Sequence, residues 1–283
     1  MPDQEVGAVG RVTDRRRVLR VRGTRTGRLS DTLVVEEPME LRVNGEPLTV
    51  TMRTPGSDFD LAAGFLVGEG VVGQTGDITE IRYCDGVDAD GRNTYNVVDV
   101  TLADHIPSPA DRTRRVTTTS ACGVCGRTSL DAVHLAVRHP VAEDPAILDL
   151  DVLRSLPDRL RTQQKVFDRT GGLHAAGLFT PHGEPITVQE DVGRHNAVDK
   201  VVGDALRDGR LPLTGTVLTV SGRASFELVQ KALLAGIPVL VAVSAPSTLA
   251  VDLAEAHGLT LAGFVRGDSL NVYTRPDRIA GLA

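Results

Sequence analysis

Two cysteines, Cys122 and Cys125, stand three residues apart in Thr119-Ser120-Ala121-Cys122-Gly123-Val124-Cys125-Gly126-Arg127. A thiolate can ligate a metal, cycle through a disulfide or carry a transferred atom. Glycine follows each thiol, which permits tight turns and leaves the sulfurs uncovered. Four chemistries use such a pair. A structural zinc site needs four ligands. No second Cys-x-x-Cys pair exists, and His134 and His139 lie in a strand-like stretch with no reason to converge on the thiols. A zinc deaminase places His-x-Glu before Pro-Cys-x-x-Cys. Here His182-Gly183-Glu184 follows the cysteines, and no proline precedes Cys122. Dithiol redox exchange stays open, although the segment after Cys125 is a weak helix former. Group transfer stays open too: one thiolate accepts sulfur as a persulfide, and the second displaces it by the substitution chemistry of disulfide exchange. Arg115 and Arg127 would favour the thiolate. The third cysteine, Cys84, is isolated and reads as a buried structural thiol.

Three further constellations concern binding. Ser221-Gly222-Arg223 lies between an apolar strand and a helix, where free amides and a guanidinium suit an anion; a structural turn is the plain alternative. Arg266-Gly267-Asp268 follows a later strand, with Asp268 able to accept from a guanine edge or to cap a turn. Glu190-Asp191-Val192-Gly193-Arg194-His195-Asn196 is dense in polar groups for a solvated face. His195 there, and His174 in Thr170-Gly171-Gly172-Leu173-His174, are candidate site residues or satisfied core histidines.

The elements that must position these groups follow from periodicity. Residues 1–17 read as a disordered basic tail, with arginines at 11, 15, 16 and 17 and more to position 28. Strands flank the hairpin signal Asn44-Gly45. A short helix over 59–67 follows, capped by Ser57 or Asp58. Residues 78–84 and 94–102 alternate as strands, and 129–137 reads as another. Helical spacing runs over 148–167, with Pro157 near a break. From 171 onward the texture changes. Strands at 172–180 and 186–188 precede a helix from about 190 to 207. Strands at 216–220, 237–243 and 259–265 then alternate with helices at 225–235 and 247–257. Strand–helix alternation without hairpins implies parallel strands with ligands at their carboxyl ends. The loops 221–224, 244–247 and 266–269 would line that edge.

The chain has 283 residues, 41% hydrophobic and 24% charged, enough for two domains with a core. Its net charge of −6 and 3% aromatics argue against a general nucleic-acid binder. No apolar run reaches membrane-spanning length, and the first residues lack a secretory pattern. The cytoplasm is the expected compartment.

Five segments in order resemble the FdhD/NarQ family of formate dehydrogenase accessory sulfurtransferases. They are residues 120–126, 170–176, 190–200, 221–227 and 242–247, and the likeness runs from about Glu36 to Tyr273. The resemblance implies an α/β fold. A cytidine deaminase-like C-terminal domain (141–283) with a largely parallel or mixed sheet would follow a smaller β-rich domain (18–140). It implies a homodimer that takes persulfide sulfur from a cysteine desulfurase, with Cys122 as carrier and Cys125 as its partner. The sulfur would go to a bis(molybdopterin guanine dinucleotide) molybdenum cofactor before that cofactor enters formate dehydrogenase. The cofactor segment maps onto Phe264, Val265, Arg266, Gly267, Asp268 and Ser269; Ser221, Gly222, Arg223, His195 and His174 complete the expected site, with GDP or GMP as mimics. A cofactor chaperone without transfer chemistry and a dithiol oxidoreductase are the competing readings.

Overall fold

The computed structural model describes residues 12–84, 94–107 and 137–282. Cys122, Cys125, Arg115, Arg127, His134 and all but the last residue of the strand expected at 129–137 lie outside the described residues. In the first half, β3 (Glu37–Val43) and β4 (Glu46–Arg53) form a hairpin closed by Asn44 and Gly45, at φ 52 and 84. Both turn residues are left-handed, as a two-residue hairpin with the strand twist requires. β5 (Ile78–Tyr83) and β6 (Val97–Leu102) complete a four-stranded sheet of order β4-β3-β6-β5.

Two expectations fail here. Thr13–Arg22 (β1), partly assigned to a disordered tail, pairs with β2 (Arg25–Val34) as a two-stranded ribbon through ten residues on each side. Val18, Leu19 and Val21 set strand-forming side chains among the arginines, and the Gly23-Thr24 turn closes the hairpin, so pairing outweighs charge repulsion. Cys84 is half-buried, not enclosed.

In the second half, β8 (His174–Phe179), β9 (Pro185–Asp191), β10 (Val217–Val220), β11 (Val239–Ala242), β12 (Thr260–Arg266) and β13 (Ser269–Thr274) form a six-stranded sheet. Its order is β13-β12-β11-β10-β8-β9. β10, β11 and β12 are parallel; β8, β9 and β13 join by antiparallel pairing, so the sheet is mixed. The short β7 (Leu148–Asp149) and β14 (Ile279–Ala280) pair separately and fasten the C-terminal segment beneath it.

The fully apolar strands serve two faces. Val217, Val239 and Val241 pack with Leu153, Leu156 and Leu160 of α2 (Leu150–Gln163). Leu218, Val220, Leu240 and Ala242 face the opposite layer. Pro157 sits inside α2 without breaking it, because three buried leucines hold the helix on both sides of the proline. A short turn, α3 (Phe167–Thr170), precedes β8. The opposite layer holds α4 (Arg194–Arg207), α5 (Phe226–Leu234) and α6 (Thr248–His257). Ser247 caps α6, accepting from the Ala250 amide at 3.3 Å. α4 starts four residues later than its sequence pattern suggests, because Glu190 and Asp191 finish β9.

α1 (Asp58–Gly68) joins the two halves. Ser57 precedes it at φ 53 and makes no side-chain cap, while Asp58 turns inward to the buried Arg53 at 3.0 Å. One apolar cluster contains Met39, Leu41 and Val98 of the first sheet, Leu61 and Leu66 of α1, and Val198, Val201 and Leu228 beyond. The halves therefore share a core. α1 and α4 touch backbone to backbone: a Cβ on Gly64 would lie 1.8 Å from the Asp199 carbonyl oxygen, and one on Gly203 1.8 Å from that of Asp60. Backbone cannot swing aside as a side chain can. Gly203→Ala is thus expected to cost at least the upper end of the about 1–3 kcal/mol typical of overpacking. Urea melts would read it as a lower midpoint; an unchanged midpoint would mean the helices are free to part.

Candidate functional site

The parallel strands β10, β11 and β12 end at one sheet edge, and β8 begins there. Four connections meet at that edge. The Ser244 amide donates to Gly222 O (3.3 Å), the Phe264 amide to Ser244 O (3.2 Å), and Arg266 Nε to Val243 O (3.2 Å). Ala224 and Pro246 form a parallel bridge. The loops 221–224 and 244–247 and the end of β12 are thus laced into one rim. His174 opens β8 opposite Asp191, the last residue of β9, from which the chain passes into α4 and presents Arg194 and His195.

The expected site residues divide once placed. Ser221 spends its hydroxyl on the Ala175 amide (2.9 Å) while its own amide bonds Ala175 O (3.0 Å), so it extends the β8–β10 pairing. Val265 is fully buried in the core and offers no side chain to a ligand. Arg223 is exposed and has no partner among the described residues. Phe264 is an exposed aromatic held at φ 53. It and Val265 together face Leu270, between the pairs Gly263–Asn271 and Arg266–Ser269, which defines a bulge. A left-handed non-glycine residue costs about 1–2 kcal/mol, so the fold spends stability to turn this ring outward. Gly267, at φ 51, and Asp268 make the two-residue turn into Ser269 of β13.

His195 Nε2 lies 2.7 Å from the Glu227 carboxylate and 3.2 Å from Ser225 Oγ. The hydrogen bond from His195, before any other cause, holds the Glu227 carboxyl below its usual range. His174 is half-buried, and burial, then the charge of Arg194 and the nearby His195, lowers its pKa from 6.5, so it is neutral near pH 7. The rim carries Arg194, Arg223 and Arg266 against Asp268 and a Glu227 already paired with His195, so it has a cationic bias.

The polar run at 190–200 proves to be two structures. Its buried side is a clamp. Asp191 accepts from Lys200 Nζ (2.8 Å), the Thr54 amide (3.1 Å) and the Gly193 amide (2.8 Å). Asn196 donates to Met52 O (2.8 Å), and Lys200 to Thr54 O (2.9 Å). Glu190 accepts from the amides of Val166 and Phe167 at 2.9 and 2.8 Å. Only Arg194 and His195 face the rim. The sequence counted Arg194 only as part of the polar run 190–196, next to His195, which it named as a candidate site residue. The signal of Arg194 is conformational: it is the first residue of a helix whose next turns carry the buried face. Among the described residues no group of three or more His, Cys, Asp or Glu is arranged to hold a metal ion, and no helix is long and apolar enough to cross a membrane.

The FdhD/NarQ family profile matches residues 34–280. A protein of Streptomyces avermitilis named "Sulfur carrier protein FdhD" is 61% identical over 275 residues, covering 96% of this chain and 97% of its own. A protein of the same name from Mycobacterium tuberculosis is 57% identical over 276 residues, covering 96% and 100%. A crystal structure from Desulfotalea psychrophila, described as a formate dehydrogenase accessory protein, superposes with a TM-score of 0.74 at 24% identity, covering 95% of this chain and all of that one. That last likeness concerns the fold. With the profile spanning most of its length and relatives at 57–61% identity, this chain belongs to the FdhD/NarQ family.

Proposed function

We propose that this protein is a sulfur carrier that loads sulfur on Cys122 and delivers it to a molybdenum cofactor bearing guanine dinucleotide, in support of a formate dehydrogenase. The observation that carries the reading is the 61% identity, nearly end to end, to a protein named as a sulfur carrier, in a chain that holds a Cys-x-x-Cys pair. The chemistry is sulfur substitution. The Cys122 thiolate attacks the terminal sulfur of a cysteine desulfurase persulfide; that S–S bond breaks and the donor leaves as a thiolate. A Cys122 persulfide results, with no net oxidation. On release, the Cys125 thiolate attacks the inner Cys122 sulfur. Sulfide leaves for the cofactor, a Cys122–Cys125 disulfide remains, and a cellular dithiol reduces it.

The cofactor is cargo, and the rim described above is its proposed berth. Phe264 offers a ring face for a guanine or pterin, and Asp268 an acceptor for a guanine edge. Arg223 and Arg266 offer guanidinium groups for phosphate. The mixed sheet accords with the deaminase-like kinship the resemblance implies. In this reading the protein works as a homodimer in the cytoplasm, where thiols stay reduced. A rim that receives a guanine dinucleotide should bind GDP. GDP at 100 times its dissociation constant is expected to stabilise the fold by about 2.7 kcal/mol, and Phe264→Ala to reduce the rise in melting temperature. A melting temperature indifferent to millimolar GDP would remove the nucleotide from the reading.

A further inference from the structure

We infer that Arg194, the amides of Gly222 and Arg223, and the His174 ring form a phosphoryl subsite that holds the diphosphate of the bound nucleotide. This rests on the reading that a guanine dinucleotide docks at the rim, and adds where its phosphates go.

Arg194 Nε is buried and has no hydrogen-bond partner. Folded proteins seldom leave such a donor unpaired unless a water or ligand completes it. The carboxylates nearest in the fold are already committed. Asp191 serves Lys200, Asn196 and the amides of Thr54 and Gly193. Glu227 serves His195. Arg194 is in no ion pair among the described residues.

Gly222 lies against both side chains. A Cβ there would lie 3.5 Å from His174 Nδ1, 3.6 Å from Cε1 and 4.0 Å from Arg194 Cδ. Its contacts would be ordinary, so glycine is not needed to avoid a clash. A methyl there would sit in contact with both the imidazole and the arginine stem, beside the Gly222 and Arg223 amides. The amides of Gly222 and Arg223 have no partner among the described residues, although Gly222 O and the Ala224 amide are both bonded. Two consecutive free amides beside a guanidinium present several donors and no acceptor, the complement of a phosphoryl group. His174, neutral because burial and Arg194 disfavour its cation, adds a hydrogen bond without adding charge.

Calorimetric titration of the full chain with pyrophosphate, GDP and guanosine tests the subsite. In Arg194→Gln, the affinities for pyrophosphate and GDP should fall about tenfold or more, while that for guanosine stays. Arg194→Lys, which keeps the charge and loses the fork, should fall between. Gly222→Ala sets a methyl between the imidazole and the arginine stem, over the donors, and should weaken pyrophosphate binding too, which serves if the arginine variants fold poorly. GDP and pyrophosphate binding unchanged in both Arg194→Gln and Gly222→Ala would overturn the subsite and leave the cofactor reading standing. Pyrophosphate bound by the wild type without any GDP binding would support the subsite and sink the guanine reading. Failure of the wild type to bind pyrophosphate would overturn the subsite.

Discussion

Cys122→Ala is expected to abolish activation of the partner formate dehydrogenase, leaving cells no better than those lacking the protein. Loading forms one covalent bond, and no other side chain can replace the sulfur nucleophile at that position. Cys125→Ala should behave differently. The persulfide still forms on Cys122, but the displacement that frees sulfide loses its attacking thiol. The variant should therefore carry sulfur and release it slowly. Single-turnover release from each variant separates the roles: loss of loading in Cys125→Ala and retention in Cys122→Ala would reverse the assignment. A cofactor chaperone whose cysteines only ligate or position the cofactor would load no sulfur in either variant or in the wild type.

Asp191→Ala is expected to destabilise the fold by about 3–5 kcal/mol, the cost of leaving a buried charge without its partner. The stranded charge is Lys200, whose side chain is only 2% exposed. The loss reaches beyond one pair. Asp191 also satisfies the Thr54 amide and the Asn196 side chain, so the link between β4 and α1 loses its hold on α4. The matched control is the double replacement Asp191→Ala with Lys200→Met. Removing both charges should recover much of the loss, as replacing a whole buried pair often does. Denaturant unfolding would show it. A single variant as stable as the wild type would mean that Lys200 finds water or another partner.

The same motif shows what the sequence could and could not tell. Glu190 through Lys200 drew attention because polar groups crowd a helix start, and density alone cannot separate catalytic polarity from buried structural polarity. The separation needs the helix phase. Asn196, Asp199 and Lys200 fall on the face turned to α1, α5 and the β4–α1 link, whereas Arg194 and His195 fall on the rim. Asp199 illustrates the burial. Its carboxyl is pushed up to about 6 by desolvation although Lys231 lies 2.7 Å away.

The strands of the second half were legible because each is short, apolar and set between helix-period segments. Their parallel core followed from the lack of hairpin turns. The outer strands β8, β9 and β13 carry the same local pattern in either direction, so the mixed character depended on pairing over distance. The close contact of α1 with α4 was invisible, since Gly64 and Gly203 are 139 residues apart and neither sits in a turn. The first five residues of β1 were hidden by its arginines, whose charge resembles that of a solvated tail. At the rim, Val265 entered through the family resemblance and Ser221 through its place at a strand end, but one side chain turns inward and the other closes a strand pair.

Sulfur on Cys122 is the central claim, and intact-protein mass measures it. Incubation with a cysteine desulfurase and cysteine should add about 32 Da, as expected for a persulfide, and a thiol reductant should remove it. The addition should vanish in Cys122→Ala and persist in Cys125→Ala. An unmodified mass for the wild type under conditions in which the desulfurase itself carries sulfur would contradict the account.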